Sequence, residues 1–542
     1  MTDLTPPAPN RPERIPFWRD IRVLGVLAQI ASLVVVIAGL AWVARNVTGN
    51  LSTLGGSQFL CQDGSSSVRC AFDFLRLDAA FEISETLIPY DPSDSYAHAL
   101  LIGLLNTLKV SLLGIVLATV LGTLAGVARL SSNWLIRTLA RWYVDAIRNI
   151  PLLLQLFFLY FGVILTFPPI REAIQPFGLP IYLSQRGINL PRPVLMPSFV
   201  TWLLFIGLGV ALAAAVGWWL RRRERQTEHA ANRLLWMAAA LLTVAVPGWF
   251  AASALAADNQ GFLAPTSANV TSVADLAANV QAELDLADLG EIEPAVASGA
   301  LTAEQVEAAS VIVCAAEGDR AEVNLTAELR RANVPYSVNR ADDATEAFAA
   351  YAADECDVLA WSRATLEAGL ADGSAVLPSA IAPVREVPIR WSIPVIEGLN
   401  FVGGILLSPQ FAAILIGLTV YTGAFIAEIV RAGIQSVARG QSEAARALGL
   451  SEGQRLRLVV LPQALRVIVP PLTSQYLNLT KNSSLAIAVG YPDLWSTAYT
   501  TLNQSGRAIQ VFLLVMGTYL VISLSISFFL NWYNRRIALV ER

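Results

Sequence analysis

Eight stretches of this 542-residue chain are apolar over lengths that fit a bilayer, and they leave little freedom for any other fold. They can be placed at about 23–44, 99–127, 150–168, 198–220, 234–256, 409–430, 466–489 and 509–531. A helix needs roughly 17 to 25 apolar residues to cross the hydrocarbon core. Only 15% of the residues are charged, against roughly 25% in a soluble protein. The chemistry open to the chain is correspondingly narrow. Its two lysines, Lys109 and Lys481, do not follow a glycine, so the Gly-Lys-Ser/Thr phosphate cradle of a P-loop is missing. The two histidines, His98 and His229, are too far apart in sequence to suggest a zinc site. No catalytic residue, resident metal or cofactor, and no nucleic-acid partner, is expected.

Eight spans would put both termini on one side, and the arginines say which. Arg11, Arg14, Arg19 and Arg22 precede the first span, and Arg129, Arg137, Arg141 and Arg148 lie between the second and third. Arg221, Arg222, Arg223, Arg225 and Arg233 lie between the fourth and fifth, Arg446, Arg455, Arg457 and Arg466 in or beside residues 443–462, and Arg535 and Arg536 after the last span. All these clusters fall on one face, which the excess of positive charge on cytoplasmic loops makes the inside. The apolar core of the first span, about 22 residues, exceeds the roughly 7 to 15 of a secretory signal, so it reads as an uncleaved anchor. Cys61 and Cys70, in the first outside loop, and Cys314 and Cys356, in a large outside segment, all fall on the oxidising side. Two bridges, Cys61–Cys70 and Cys314–Cys356, are the favoured reading; four buried free thiols are the alternative.

Between the fifth and sixth spans the composition changes abruptly. From Asp258 to Glu386 there are 22 acidic residues against six arginines and no lysine, a balance of −16 in a chain whose total is −4. Long external domains escape the charge rule for loops. Within this segment "ASVIVCAAEG", a buried strand running into a turn, and strand-like "PYSVNR" and "CDVLAWSR" alternate with helix-like "AEVNLTAELRRANV" and "DDATEAFAAYAADE". That alternation predicts an α/β unit with a parallel sheet.

Two further stretches carry the functional signal. Residues 441–462 form a polar loop in which Glu443, Ala444, Ala445, Gly449, Val459, Leu461 and Pro462 recur at a defined spacing. Two small alanines allow a partner surface to approach the backbone, Gly449 can take positive φ and turn the chain sharply, and Leu461-Pro462 ends the loop. Directly after it, Pro470 and Pro471 are expected to kink or break the seventh span. Thr473, Ser474, Gln475, Asn478, Thr480, Lys481, Asn482, Ser483 and Ser484 then follow at membrane depth. Polar groups there are costly unless they face partners or a water-filled cavity, which makes Asn478, Thr480, Lys481, Asn482 and Ser484 candidates for a substrate path. Alternatively, these groups satisfy one another and Lys481 snorkels to the surface. Gly114, Gly122 and Gly126 permit close helix approach, and Glu428 and Arg431 are placed to pair.

The pattern of residues 443–462 resembles the EAA loop of ABC importer permeases. The chain as a whole resembles the membrane subunit of a bacterial polar or general L-amino acid importer, strongly over about 98–166 and 391–542 and loosely over the first 97 residues. The resemblance implies an all-α polytopic membrane protein of about eight transmembrane helices, with a type I ABC importer permease core and a periplasmic α/β insert. Its parts would be a cytoplasmic segment 1–22, an extra first helix and periplasmic loop 23–97, the first part of the core 98–168, accessory spans 169–257, the acidic insert 258–390 and the second part of the core 391–542. The insert is similar in part to one lobe of the soluble receptors of such importers, through Cys314, Glu322 to Leu325, and Cys356-Asp357-Val358. Implied partners are an ATPase dimer that binds the ATP and receives residues 441–462 as a coupling helix, a second permease subunit in a heterodimeric pore, a periplasmic amino acid-binding protein, and lipid. The location implied is the inner membrane. A membrane-anchored amino acid sensor is the alternative, although no stretch on the cytoplasmic face exceeds about 35 residues.

Overall fold

The structure is a computed structural model that describes residues 29–39, 41–42, 45–46, 70–227, 232–256, 260–266, 270–316, 319–373, 379–397 and 400–537. The helices that position the site are α1 (Tyr96–Ala128), α2 (Trp134–Asn149), α3 (Leu152–Phe157), α4 (Ser198–Thr227), α5 (Arg233–Leu255), α6 (Pro409–Gln435), α7 (Arg439–Ala447), α8 (Leu461–Asn482), α9 (Leu494–Ser505) and α10 (Ala508–Ile537). The chain is mostly helical, and among the described residues six helices are long and apolar enough to cross a membrane, seven if the bent pair Trp134–Asn149 and Leu152–Thr166 counts as one span. Of the expected first span, 23–44, only 29–39 and 41–42 are described, as helix. The chain divides into two compact units, residues 1–157 with 414–542, and residues 158–413.

In the first unit the buried face of α1 carries Tyr96, Ile102 and Val110 but is otherwise made mostly of small and polar residues, among them Ala99, Gly103, Asn106, Ser111, Gly114, Ala118, Gly122 and Gly126. A Cβ at Gly122 would lie 2.6 Å from Ile426 Cβ and 2.7 Å from the Gly423 carbonyl of α6, and one at Gly103 3.0 Å from the Leu494 Cα of α9. Gly114 faces Leu479 of α8 more loosely, at 3.3 Å. Small side chains therefore set how closely three helices approach α1. The 108° bend between α2 and the next helix has a local cause. Pro151 pushes Ile150 out of the helical region, to φ −104°, ψ 130°. Gln155 then donates its amide to the carbonyls of Ile147 and Ile150, each at 2.9 Å, satisfying groups the break leaves open.

In the second unit α4 and α5 pack closely, with Gly209 against Leu241, Gly217 against Met237 and Gly248 against Phe205. Trp202 Nε1 donates to the Ala245 carbonyl at 2.9 Å. Residues 260–383 carry a five-stranded sheet of β1 (Gln260–Pro265), β2 (Val311–Ala316), β3 (Tyr336–Ala341), β4 (Val358–Ser362) and β5 (Ser379–Pro383), ordered β3-β2-β4-β1-β5. β2 is parallel to β3 and β4, whereas β1 is antiparallel to β4 and β5. The sheet is thus mixed rather than all parallel as expected. The difference arises because β1, which precedes the βα repeat, inserts beside β4 in the opposite sense. Alternate residues face two cores: Phe262, Val313, Val358 and Ala360 pack on one side and Leu263, Cys314 and Leu359 on the other. Cys314 and Cys356 are joined by a disulfide with Cα atoms 5.7 Å apart. The expected Cys61–Cys70 pair falls outside the described residues, Cys61 entirely and Cys70 by its side chain.

Candidate functional site: the 441–462 turn and the polar face of α8

Residues 441–462 fold as two short helical pieces around a left-handed turn. Gly449 adopts φ +75°. The N–H of Leu450 bonds the Ala445 carbonyl at 3.1 Å, and that of Gly449 bonds the Arg446 carbonyl at 2.9 Å. This is the Schellman arrangement, which satisfies the last carbonyls of α7 and needs a residue at ease in the left-handed region. Ser451 then caps Glu452–Arg455 through a capping box with Gln454. The turn is braced across its mouth: Glu452 accepts from Arg446 at 3.1 Å and also from Arg455, whose other nitrogen donates to Ser442 at 2.9 Å. The outer surface is left open. Glu443, Ala444 and Gly449 are exposed, Leu448 is 82% exposed, and Ala445 is buried.

The expected end of the loop at Leu461-Pro462 is not where the structure ends it. Helical structure resumes at Glu452 and passes through a π-helical turn, Leu456–Val460, into α8. Pro462 sits in the first turn of α8, and the wider turn before it accommodates a ring that an unbroken α-helix would not. Nor do Pro470 and Pro471 break the helix, which continues through both to Asn482 and then tightens into a 3-10 segment, Ser483–Val489. Both prolines are exposed, and on an exposed side carbonyls can tilt outward instead of breaking the helix.

The candidate path residues separate by face. Asn478 and Lys481 are exposed on the same side of α8 as Ser474, at i, i+4 and i+7. Among the described residues Lys481 has no ion-pair partner. Thr480 turns inward, buried, and donates to the Tyr476 carbonyl at 3.0 Å. Asn482 is half-buried, and Ser484 donates to the Lys481 carbonyl at 2.8 Å. The structure therefore brings Asn478 and Lys481 together and sets Thr480 apart.

The expected Glu428–Arg431 pair forms, but as part of a larger cluster, and a second polar cluster was not foreseen. Glu428 accepts from Arg129 as well as Arg431 and lies 3.9 Å from Arg148, tying α1, α2 and α6 into one charged knot. At the other end of α1, Asn106 donates to the carbonyls of Glu85 and Pro492 at 2.8 and 2.9 Å, and Thr107 accepts from the Leu494 amide at 2.9 Å. Lys109 pairs with Glu85 at 2.5 Å. Asp493, fully buried, caps α9 through the Ser496 amide, and burial pushes its carboxyl up to about 7. The signal was present in Asn106-Thr107-x-Lys109, polar groups inside an apolar run, and in an acid placed just before a helix.

Residues 377–539 match the family model described as "Binding-protein-dependent transport system inner membrane component". The putative amino-acid ABC transporter permease protein YhdX of Escherichia coli K12 is 35% identical over 95% of this chain and 94% of its own. The general L-amino acid transport system permease protein AapQ of Rhizobium johnstonii is 33% identical over 96% and 94%. The glutamate/glutamine/aspartate/asparagine transport system permease protein BztB of Rhodobacter capsulatus is 35% identical over 96% of each chain. The chain belongs to the family of amino-acid ABC transporter permeases. It is a multi-pass protein of the inner membrane.

Proposed function

We propose that the chain forms one half of an import pore for polar or acidic L-amino acids. A separate ATPase dimer drives it, a periplasmic binding protein feeds it, and a second, non-identical permease subunit completes the pore. BztB is named for glutamate, glutamine, aspartate and asparagine, which supports that choice of substrates. In this reading eight spans place both termini in the cytoplasm, and residues 258–390 form a periplasmic α/β insert. Residues 441–462 are the coupling element, with Glu443, Ala444, Ala445, Gly449, Leu461 and Pro462 shaping the contact with the ATPase. Asn478, Lys481 and Asn482 line the substrate path, with Thr480 and Ser484 supporting its wall.

The observation that carries the reading is the surface of the 441–462 turn. Its inner side is closed by the Schellman bonds and the Glu452 brace, while Leu448 projects into solvent. The outer side of this braced turn, with Glu443, Ala444, Leu448 and Gly449 exposed, is free for a partner surface to close over without undoing the turn. A photocrosslinking residue at Leu448 in the assembled complex should capture the ATPase subunit, and one at Trp219 should not. Capture of a periplasmic component from position 448 would place the turn on the wrong side and end the proposal.

A further inference from the structure

Within the second unit a cleft of about 490 Å³ opens beside β3, the edge strand of the sheet. Its walls come from β3, from one side of helix Arg320–Arg331, and from the strands at Arg192–Leu195 and Ile389–Val402. The volume lies within the roughly 300 to 1,000 Å³ of small-molecule sites. The charge of the lining runs against its surroundings. Residues 258–386 carry only six arginines against 22 acids, yet Arg330 and Arg340 both line this cleft, joined by Arg192 from a neighbouring strand. Glu322 is the one acidic residue of the lining, so the cleft is formally +2 inside an acidic segment.

The four charged groups are not equivalent. Glu322, buried, accepts from Arg340 at 3.1 Å, so one positive charge of the lining is already paired. Arg330 donates one N–H to the Tyr336 hydroxyl at 2.7 Å, which fixes the guanidinium plane and leaves most of its five donors for another group. Arg192, exposed and on a different strand, lines the same cleft, and Trp391 and Phe401 add apolar surface to it. Two guanidiniums lining one cleft from separate elements, one of them oriented by a tyrosine, suit a small molecule carrying two carboxylates, because the planar fork matches a carboxylate two bonds at a time.

We propose that this cleft binds a small dicarboxylate, its two carboxylates held by Arg330 and Arg192, with the Glu322–Arg340 pair closing the floor. An acidic amino acid and a plain dicarboxylic acid share that chemistry. The site is separate from the polar face of α8 and does not depend on the transport reading.

Calorimetry on the full-length protein in detergent, with L-glutamate, glutarate and L-leucine as probes, decides the matter. Saturable binding of L-glutamate, glutarate or both is expected, and none of L-leucine. Tighter binding of L-glutamate than glutarate would mean that Glu322 also receives an ammonium group; equal binding would mean that only the carboxylates are read. Arg330→Gln should weaken binding by about tenfold or more, as loss of a charge-assisted bond requires. Arg192→Gln, on a separate strand, should do the same and keeps the test alive if Arg330→Gln fails to fold. No saturable binding of either carboxylate, equal binding of L-leucine, or binding that survives both substitutions would overturn the proposal.

Discussion

Gly449 offers the sharpest test of how the 441–462 turn works, because its two possible roles separate by side chain. At φ +75° a Cβ on residue 449 would meet nothing within 4 Å. Inside the chain a substitution therefore meets no clash, and its only intrinsic cost is that of the left-handed region. That cost is about 1–2 kcal/mol for an ordinary L-residue and smaller for asparagine, which tolerates the conformation. Gly449→Val should thus reduce the population of the native turn by about 5- to 30-fold relative to alternatives, whereas Gly449→Asn should leave the turn almost unchanged. If the space around Gly449 is free in the working complex, coupling will follow this backbone ranking. If an ATPase groove closes over it, asparagine will be as damaging as valine. We expect the second result: in nanodiscs with the full complex, Gly449→Asn lowers substrate-stimulated ATPase activity and uptake at least about tenfold while insertion and melting stay normal. Full coupling by the asparagine variant would refute the docking argument, and full coupling by both would show that the turn itself is dispensable.

Three other expectations follow from the same geometry. Lys481→Met should slow uptake of acidic substrates more than that of glutamine, measured as initial rates in proteoliposomes, because it removes the cation from the exposed polar face of α8; unchanged kinetics for both would take Lys481 out of the path. Gly122→Ala places a methyl 2.6 Å from Ile426 Cβ and 2.7 Å from a backbone oxygen, so it should destabilise the protein by about 1–3 kcal/mol, seen as a lower thermal midpoint in detergent. Asp493 makes stability depend on pH: its folded carboxyl, raised by burial to about 7, holds a proton that the unfolded chain releases near pH 4. The stabilising effect of that proton is complete below about pH 4 and fades by up to about 4 kcal/mol as pH rises to about 7. Asp493→Asn keeps the capping acceptor and should flatten that dependence, and an unchanged pH profile would show that Asp493 is not its source.

What could be read in the sequence divides along physical lines. Long apolar helices betray themselves by length, so α1, α4, α5, α6 and α10 start within three residues of the runs at 99–127, 198–220, 234–256, 409–430 and 509–531, although α4, α6 and α10 run on five to seven residues past their ends. Helix α2 escaped a search for apolar runs because it carries Arg137, Arg141, Asp145 and Arg148. Its periodicity was nevertheless there to see, with Ala140 and Val144 buried one turn apart. The glycine signal at 449 was legible because few other residues suit a positive φ. At Pro470 and Pro471 the sequence shows the two missing donors but not that the helix runs on past them, since its continuation depends on the packing around it. The Glu428 knot was half visible. Arg431 is three residues away, but Arg129 and Arg148 arrive only through tertiary packing.

The arrangement of the first unit suggests how a push on the turn could reach the far end of α1. The 441–462 segment joins α6 directly to α8, so a displacement of α7 is delivered to both helices. Each touches α1 at a glycine, α6 through Gly122 and Gly126 and α8 through Gly114. The helices come close enough that a Cβ at Gly122 would not fit beside the Gly423 carbonyl, and close-packed interiors pass strain on rather than absorb it. The charged knot at Glu428 fastens α1, α2 and α6 together at one end. Asn106, Thr107 and Asp493 fasten α1 to α9 at the other. Compliance is then left to places where backbone bonds are missing, the Pro470-Pro471 pair in α8 and the Ile150-Pro151 bend. On this account the methyl in Gly122→Ala should do more than lower stability. By forcing α6 away from α1 it should leave the turn able to engage the ATPase while less of the movement arrives, so that uptake falls further than ATPase activity does. Equal loss of both would mean that α6 is not the strut.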